Sequence, residues 1–313
     1  MHRVVAGFAA FAALMLAPVA LADGPGYVSQ GGSGVLSANG KTRYVAVPAG
    51  NATAIERVRV HGGSIVAWTT LAGFWGIPSP TVSRAEGLSR DGRRLFVGSG
   101  GLGSPTRFAI VDALKLRVLD RFALKGTFTY DALSPDASTL YLIQRVDMSN
   151  FNRYVVRAYD LRSHTLRPGR IADRTQRGWV MEGAPMTRAA SSDGRWVYTL
   201  YQRPGGYPFI HALDTVNGVA HCTGLPWRGD QTPMWNVRLT LHDGGKTLDM
   251  HWKSGKPWLT LNTSTWTLTH VRAHNAGLAW RWLLAGAAAV VVFSLAALVL
   301  GRRRLPKAAP VPL

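Results

Sequence analysis

The sequence predicts an all-β chain of about five four-stranded units, with a hydrophobic segment at each end, and three observations carry that reading. A turn followed by an apolar strand recurs five times, at intervals of roughly 45–57 residues, and self-similarity at such a period means stacked or radial units. A second turn follows in each of the later four units, at Asp112, Asp160, Asp214 and Asn262, which stand 48, 54 and 48 residues apart. Between the turns the apolar residues alternate with period two, and 34 Gly and 17 Pro leave no room for long helices between the ends.

The first turns are Ser37-Ala38-Asn39-Gly40 before Tyr44 to Val47, Ser89-Arg90-Asp91-Gly92 before Leu95 to Val97, and Ser134-Pro135-Asp136-Ala137 before Leu140 to Ile143. Ser192-Asp193-Gly194 before Val197 to Leu200 and Asp243-Gly244-Gly245 before Leu248 to Met250 complete the set. Asx side chains favour such turns by bonding backbone two residues on, and Gly supplies positive φ at little cost. The first unit lacks its second Asp, with Arg59 in that place. Four strands with two hairpin turns make the blade of a β-propeller. Five blades fill the segment between the ends at about 50 residues each, and six result if 163–190 hides a degenerate pair. A blade cannot bury an apolar face alone, so the expectation is a closed ring with protected edge strands.

Ser134-Pro135-Asp136 before Leu140-Tyr141-Leu142, and Leu213-Asp214-Thr215-Val216-Asn217-Gly218, resemble the two turns of bacterial YVTN-type and TolB-type β-propeller repeats. The resemblance covers residues 30–270 in five imperfect copies. It implies the fold, and it implies binding of proteins, glycans or small ligands more often than catalysis, since function sits in sites grafted on folds.

The ends predict placement. Residues 1–22 combine a basic start, an apolar run from Val4 to Leu16 and Ala20-Leu21-Ala22, the pattern of a secretory signal peptide. Leu283 to Leu300 is a chargeless, apolar run of 18 residues between Trp280-Arg281-Trp282 and Arg302-Arg303-Arg304, the pattern of one transmembrane helix with its basic flank in the cytoplasm. The expected organisation is a signal peptide at 1–22, an extracytoplasmic propeller at 23–274, a juxtamembrane segment and span at 275–301, and a basic tail at 302–313. Ala285, Gly286, Ala288 and Ala289 offer weak self-association of the span.

Net charge is +19; six of the 36 Lys and Arg lie outside 23–279 and all 17 Asp and Glu lie inside, so the exported part carries about +13. That field suits a protein or anionic envelope polymer, and export argues against nucleic acid. Cys222 is the single cysteine, so no intramolecular disulfide forms, and it reads as a structural thiol. His270 and His274, four apart, are the sole histidine pair with ligand spacing, and neither a metal nor a cofactor is expected.

Candidate ligand-binding residues fall in two sets. Aromatic and basic residues of the inter-blade connections are Trp75, Arg84, Tyr130, Trp179 and Trp235, and that face, not the Asp-Gly hairpin face, is expected to carry any binding. Glu86 and Asp131 stand three residues before their turn serines and Arg188 four before Ser192, with Arg238 nearby in the last unit, and innermost strands would bring them around a channel, where Arg188 could pair with either acid. No catalytic set is legible. The sequence therefore favours a membrane-tethered binding or scaffold module at the cell envelope. The alternatives are an exported propeller enzyme, lactonase-like, lyase-like or cofactor-dependent, and a structural envelope protein without a ligand.

Overall fold

A computed structural model of the chain describes residues 27–81, 85–99, 105–173 and 179–270. It is an all-β propeller architecture of five antiparallel meanders in chain order. Blade 1 is β2 (Val35–Leu36), β3 (Thr42–Ala49), β4 (Ala52–Arg59) and β5 (Ile65–Ala72), preceded in the chain by a short strand β1 (Tyr27–Ser29). Blade 2 is β7 (Arg94–Gly98), β8 (Thr106–Asp112) and β9 (Arg117–Leu124), and its inner place is taken by two short pieces, β6 (Ile77–Ser79) and the backbone at Gly87-Leu88, whose Gly87 carbonyl accepts from Phe96 N–H at 2.8 Å. Blade 3 is β10 (Phe128–Leu133), β11 (Thr139–Arg145) and β12 (Arg153–Asp160), with an outer strand split into β13 (Thr165–Leu166) and β14 (Met181–Glu182). Blade 4 is β15 (Ala184–Ala190), β16 (Trp196–Gln202), β17 (Phe209–Asp214) and β18 (Val219–Gly224); blade 5 is β19 (Val237–His242), β20 (Thr247–Trp252), β21 (Pro257–Asn262) and β22 (Leu268–His270). The described parts of 163–190 thus supply the broken edge of blade 3 and the start of blade 4, and no sixth blade occurs among the described residues.

One polar device builds the first turn of four blades. The serine Oγ donates to the Asx side chain two residues on and accepts the N–H five residues on: Ser89 to Asp91 at 2.6 Å with Arg94 N–H at 2.9 Å, and Ser134 to Asp136 at 2.7 Å with Thr139 N–H at 2.9 Å. Ser37 does the same with Asn39, and in blade 4 the serine is Ser191, one residue before the Ser192 that the sequence suggested. The serine bond, the largest cause, holds the Asp91, Asp136 and Asp193 carboxyls below the usual carboxylate range. Blade 5 has His242 at that place, opposite Thr247, and closes with Asp243 in the left-handed region, φ 54°.

Alternation then pairs the blades. Tyr44, Ile55 and Leu71 meet Leu95 and Val97 between blades 1 and 2, Phe96 and Phe108 meet Leu140 and Leu142 between 2 and 3, Ile143 and Tyr154 meet Tyr201 and Phe209 between 3 and 4, and Tyr198 and Ile210 meet Leu239 and Met250 between 4 and 5. Part of the excess arginine laces the turns together by donating to carbonyls of other blades: Arg57 to Leu114, Arg94 to Ala137 and Arg90 to Asp193, at 3.0, 3.2 and 3.0 Å.

The expected apolar closure between blades 5 and 1 does not occur among the described residues. The reason lies in composition. Blade 5 turns a hydrogen-bonded polar face away from blade 4, with Thr240 on His251 at 2.9 Å, Thr260 on Asp249 at 2.7 Å and His242 on Asp249 at 3.4 Å, so that face needs no apolar cover. Blade 1 leaves Leu36, Ile65 and Trp68 exposed on the face away from blade 2.

The first described strand, β1, pairs antiparallel with β6 and touches β10, among the inner strands. Gly76 and Gly98 make the room: a Cβ on Gly76 would stand 2.8 Å from Val28 Cβ and 2.9 Å from Ser29 O, and one on Gly98 2.9 Å from Val28 Cγ1. No helix among the described residues is long and apolar enough to cross a membrane. The expected signal peptide, span and basic tail, and His274, lie outside the described residues.

Candidate functional site

The inner strands bring three of the expected residues into one ion cluster. Arg188 leaves β15 with its side chain 1% exposed, donates through Nε to Thr199 Oγ1 at 3.0 Å and through Nη1 to Glu86 Oε2 at 3.2 Å, and forks onto Asp131 by bonds to the carboxylate and the carbonyl oxygen. Burial alone would lower its pKa; the Glu86 and Asp131 carboxylates outweigh that and raise it, so the guanidinium stays charged. Asp131 can turn inward because the register of β10 against β11 shifts between Tyr130 and Ala132, a bulge that re-aims the side chain between them. The same place in blade 1 is Gly34, at φ 61°, where a Cβ would stand 2.1 Å from the Tyr44 carbonyl oxygen, so the ring of charges stops at three blades.

Behind the cluster lie polar groups that the sequence did not mark. Tyr154 and Tyr201 stack with centroids 5.5 Å apart, their buried hydroxyls acting on each other, while Asp131 Oδ2 and His211 Nε2 are buried without a hydrogen-bond partner among the described protein atoms. Burial pushes the His211 pKa down to about 4 and the Cys222 thiol up to about 12. Asp173 accepts from Cys222 N–H at 2.8 Å and stands 3.3 Å from His221, which stacks on Trp266 at 4.1 Å; these ties fasten the split edge of blade 3 to β18. Cys222 therefore is packed and protonated, as a structural thiol should be.

A concavity opens at the hairpin-turn end of the channel, the face opposite the inter-blade one expected to bind. It measures about 550 Å³ and draws its wall from the ends of the inner strands and first turns of blades 1 to 4. Its charged members are Arg43, Glu86 and Arg90, with Tyr130 at its base. Ser89, Ser134 and Ser191 line it too, but their hydroxyls are held in the turn bonds described above. Arg43 Nε is buried without an acceptor among the described protein atoms, while Arg90 is exposed and spends one nitrogen on the Asp193 carbonyl. No group of three or more His, Cys, Asp or Glu within metal-holding reach occurs among the described residues.

The other expected residues stand elsewhere. Trp75 is buried in the core of blades 1 and 2, its indole N–H donating to Ala72 O at 2.9 Å, so it packs rather than presents a surface. Trp179 is half-buried against Phe209 beneath the Arg203 guanidinium, 5.6 Å from its ring centre. Trp235 packs on the core of blades 4 and 5, and Arg238 donates to the carbonyls of Trp235 and Val237 at 3.1 and 2.7 Å, away from the ion cluster. Arg84 lies outside the described residues. The mouth residues Arg43 and Arg90 carried one signal: both flank first turns, which converge on the axis in any propeller.

No family model and no curated protein sequence matches the chain. Solved structures do. Hydrazine synthase of Kuenenia stuttgartiensis is 12% identical with a TM-score of 0.49, covering 76% of this chain and 65% of that one. TolB of Acinetobacter baumannii is 14% identical with a TM-score of 0.43, covering 78% and 56%, and a putative TolB of Agrobacterium tumefaciens is 14% identical at 0.43, covering 79% and 80%. The propeller rests on the five meanders and the apolar cores between them. The chain spans under two thirds of the length of the first two of these proteins, and likeness at this level carries no argument about function.

Proposed function

We propose that this protein is a membrane-tethered, extracytoplasmic β-propeller that binds an anionic protein or polymer of the cell envelope at the hairpin-side mouth of its channel. The observation that carries the reading is the mouth itself: a cavity walled by four blades, holding a buried, unpartnered Arg43 Nε and an exposed Arg90, in a domain of high positive charge. Anionic groups satisfy guanidinium donors directly, by charge-assisted and often bidentate hydrogen bonds. Glu86, the one carboxylate in the wall, is engaged by Arg188, which reduces its repulsion of an incoming anion.

Chain direction supports the placement of that mouth. The last hairpin turns at Asn262 to Thr267, on the hairpin side, and β22 then runs away from it. A tether beginning beyond His270 would leave from the opposite end, so the mouth would face away from the bilayer and toward envelope partners. β1 packs among the inner strands, so a ligand reaches the axis from the hairpin side.

The test has two arms. Protease added to spheroplasts should degrade the propeller and spare the tail, whereas a protected propeller would refute the topology. Arg43→Glu with Arg90→Glu should weaken retention of the full chain on a polyanion-coated surface at least tenfold, with a shallower salt dependence than wild type. An equal loss from Lys253→Glu with Lys256→Glu, on the turn between β20 and β21 at the opposite end, would refute the mouth as the site.

A further inference from the structure

The outer strand of a blade is an edge, with one row of backbone N–H and C=O groups facing outward. Two outer strands of this propeller reach eight residues, β5 and β9, and they manage the edge in opposite ways. β9 exposes Arg117 and Arg121, with Lys125 just past its end, like charges that repel a second copy. β5 reads Ile65-Val66-Ala67-Trp68-Thr69-Thr70-Leu71-Ala72 and carries no charge. Ile65 is 54%, Val66 42% and Trp68 64% exposed, with Thr70 and Ala72 also in solvent. The remaining outer strands are shorter, and β18 is bridged in parallel by Asp173 of blade 3.

The register decides which backbone groups are free. Gly73 N–H donates to Asn51 O, and Leu71 pairs with Thr53 and Thr69 with Ile55 two and four residues earlier, so Leu71 and Thr69 point their N–H and C=O at β4. Trp68, Thr70 and Ala72 therefore point theirs outward. Their side chains share one face of the sheet with Leu36, Val45, Val47, Ala54 and Ile65, and with Arg43 and Glu56, a mostly apolar face that no other blade covers among the described residues.

We propose that β5 is a homodimer interface, in which two copies pair β5 with β5 antiparallel across a two-fold axis. The partner is a second copy because the strand is complementary to itself: an extended segment without charges meets its own reverse without like-charge contacts, and one isologous patch closes the assembly at two subunits. A two-fold rotation that reverses a strand lies normal to the sheet, so the apolar face of one subunit runs on into that of the other and Trp68 packs near its mate. Twist of roughly 20–25° per strand accumulates to about 60–75° from β2 to β5, which turns the outer strand across the propeller axis and brings the two-fold close to that axis. Two copies anchored in one membrane then keep the same face toward it, although the pairing itself does not depend on the anchor.

The test uses the full chain in mild detergent, with molar mass from light scattering between 1 and 50 µM, about the range where a modest edge interface is read. Wild type should be a dimer. Trp68→Lys, which places like charges across the axis, and Thr70→Pro, which deletes an outward N–H unused within the sheet, should each raise the dimer dissociation constant at least tenfold while leaving the thermal midpoint in place. Leu119→Lys on β9 should remain dimeric. Single cysteines at 67 to 71 should cross-link strongest at the one position nearest the axis, since Cys222 is packed and protonated. A monomeric wild type, a dimer that survives both β5 variants, or protection of the Trp68 and Thr70 amides from hydrogen exchange in a monomer would overturn the proposal, as would a different protein's strand on β5 of a monomeric chain.

Discussion

At the scale of single residues, Arg188 is where a buried charge is made tolerable by two carboxylates and a hydroxyl. Arg188→Met leaves Asp131 buried without its cation and should cost about 3–5 kcal/mol in denaturant unfolding, whereas Arg188→Met combined with Asp131→Leu should recover a substantial part of the loss, because removing both charges also removes their desolvation cost. His211 should set an acid dependence. Its folded pKa near 4 lies below the ordinary 6.5, so as pH falls the unfolded chain takes up the proton first. Stability is whole above pH 6.5, declines toward pH 4 by up to roughly 3 kcal/mol, and flattens below; thermal midpoints of His211→Gln should be nearly level across that window. Glu86, Asp131 and Arg188 were legible in the sequence because strand length fixes their offset from the turn serine. Tyr201 and His211 were not, since a polar residue within a period-two strand gives no spacing signal, whether its partner is Tyr154 of another blade or Cys222 of its own.

At the scale of elements, the serine turn and the glycine gap make separate predictions. Ser89→Ala, Ser134→Ala and Ser191→Ala each remove a donor to Asx and an acceptor for a strand N–H, and should each cost about 1–2 kcal/mol by chemical denaturation. Asp243→Ala should cost less, since blade 5 lacks the serine. Gly76→Ala brings a methyl onto backbone atoms of Ser29, so it should release β1 and expose the Val28, Ser29 and Gln30 amides to rapid hydrogen exchange. Slow exchange in that variant would contradict the seating of β1. The turns and the strands after them were readable because Ser, Asx and Gly have to recur to hold the same geometry. The broken inner strand of blade 2 and the split outer strand of blade 3 were not, because each is completed by backbone outside the regular repeat: β1 and the Gly87 carbonyl in one, Ile171, Met181 and Glu182 in the other.

At the scale of the whole molecule, aromatic residues and arginine take up roles that composition alone does not separate. Trp75 serves a core, Arg57 and Arg94 lace blades, and Arg188 fills the channel, so the charge left for recognition gathers where turns converge, at Arg43 and Arg90. The repeat foretold the convergence of the turns. It did not foretell the polar outer face of blade 5, because period-two alternation marks an inner and an outer side without saying whether the outer one will be covered. The most direct measurement of the central claim is photocrosslinking in intact cells, with a photoreactive side chain placed in turn at Ala38 and Arg90 on the mouth rim and at Arg203 and Lys253 on the opposite end. A discrete envelope adduct that a polyanion competes away should form from the rim positions and none from the opposite end; adducts confined to Arg203 and Lys253, with a silent rim, would contradict a binding site at the mouth.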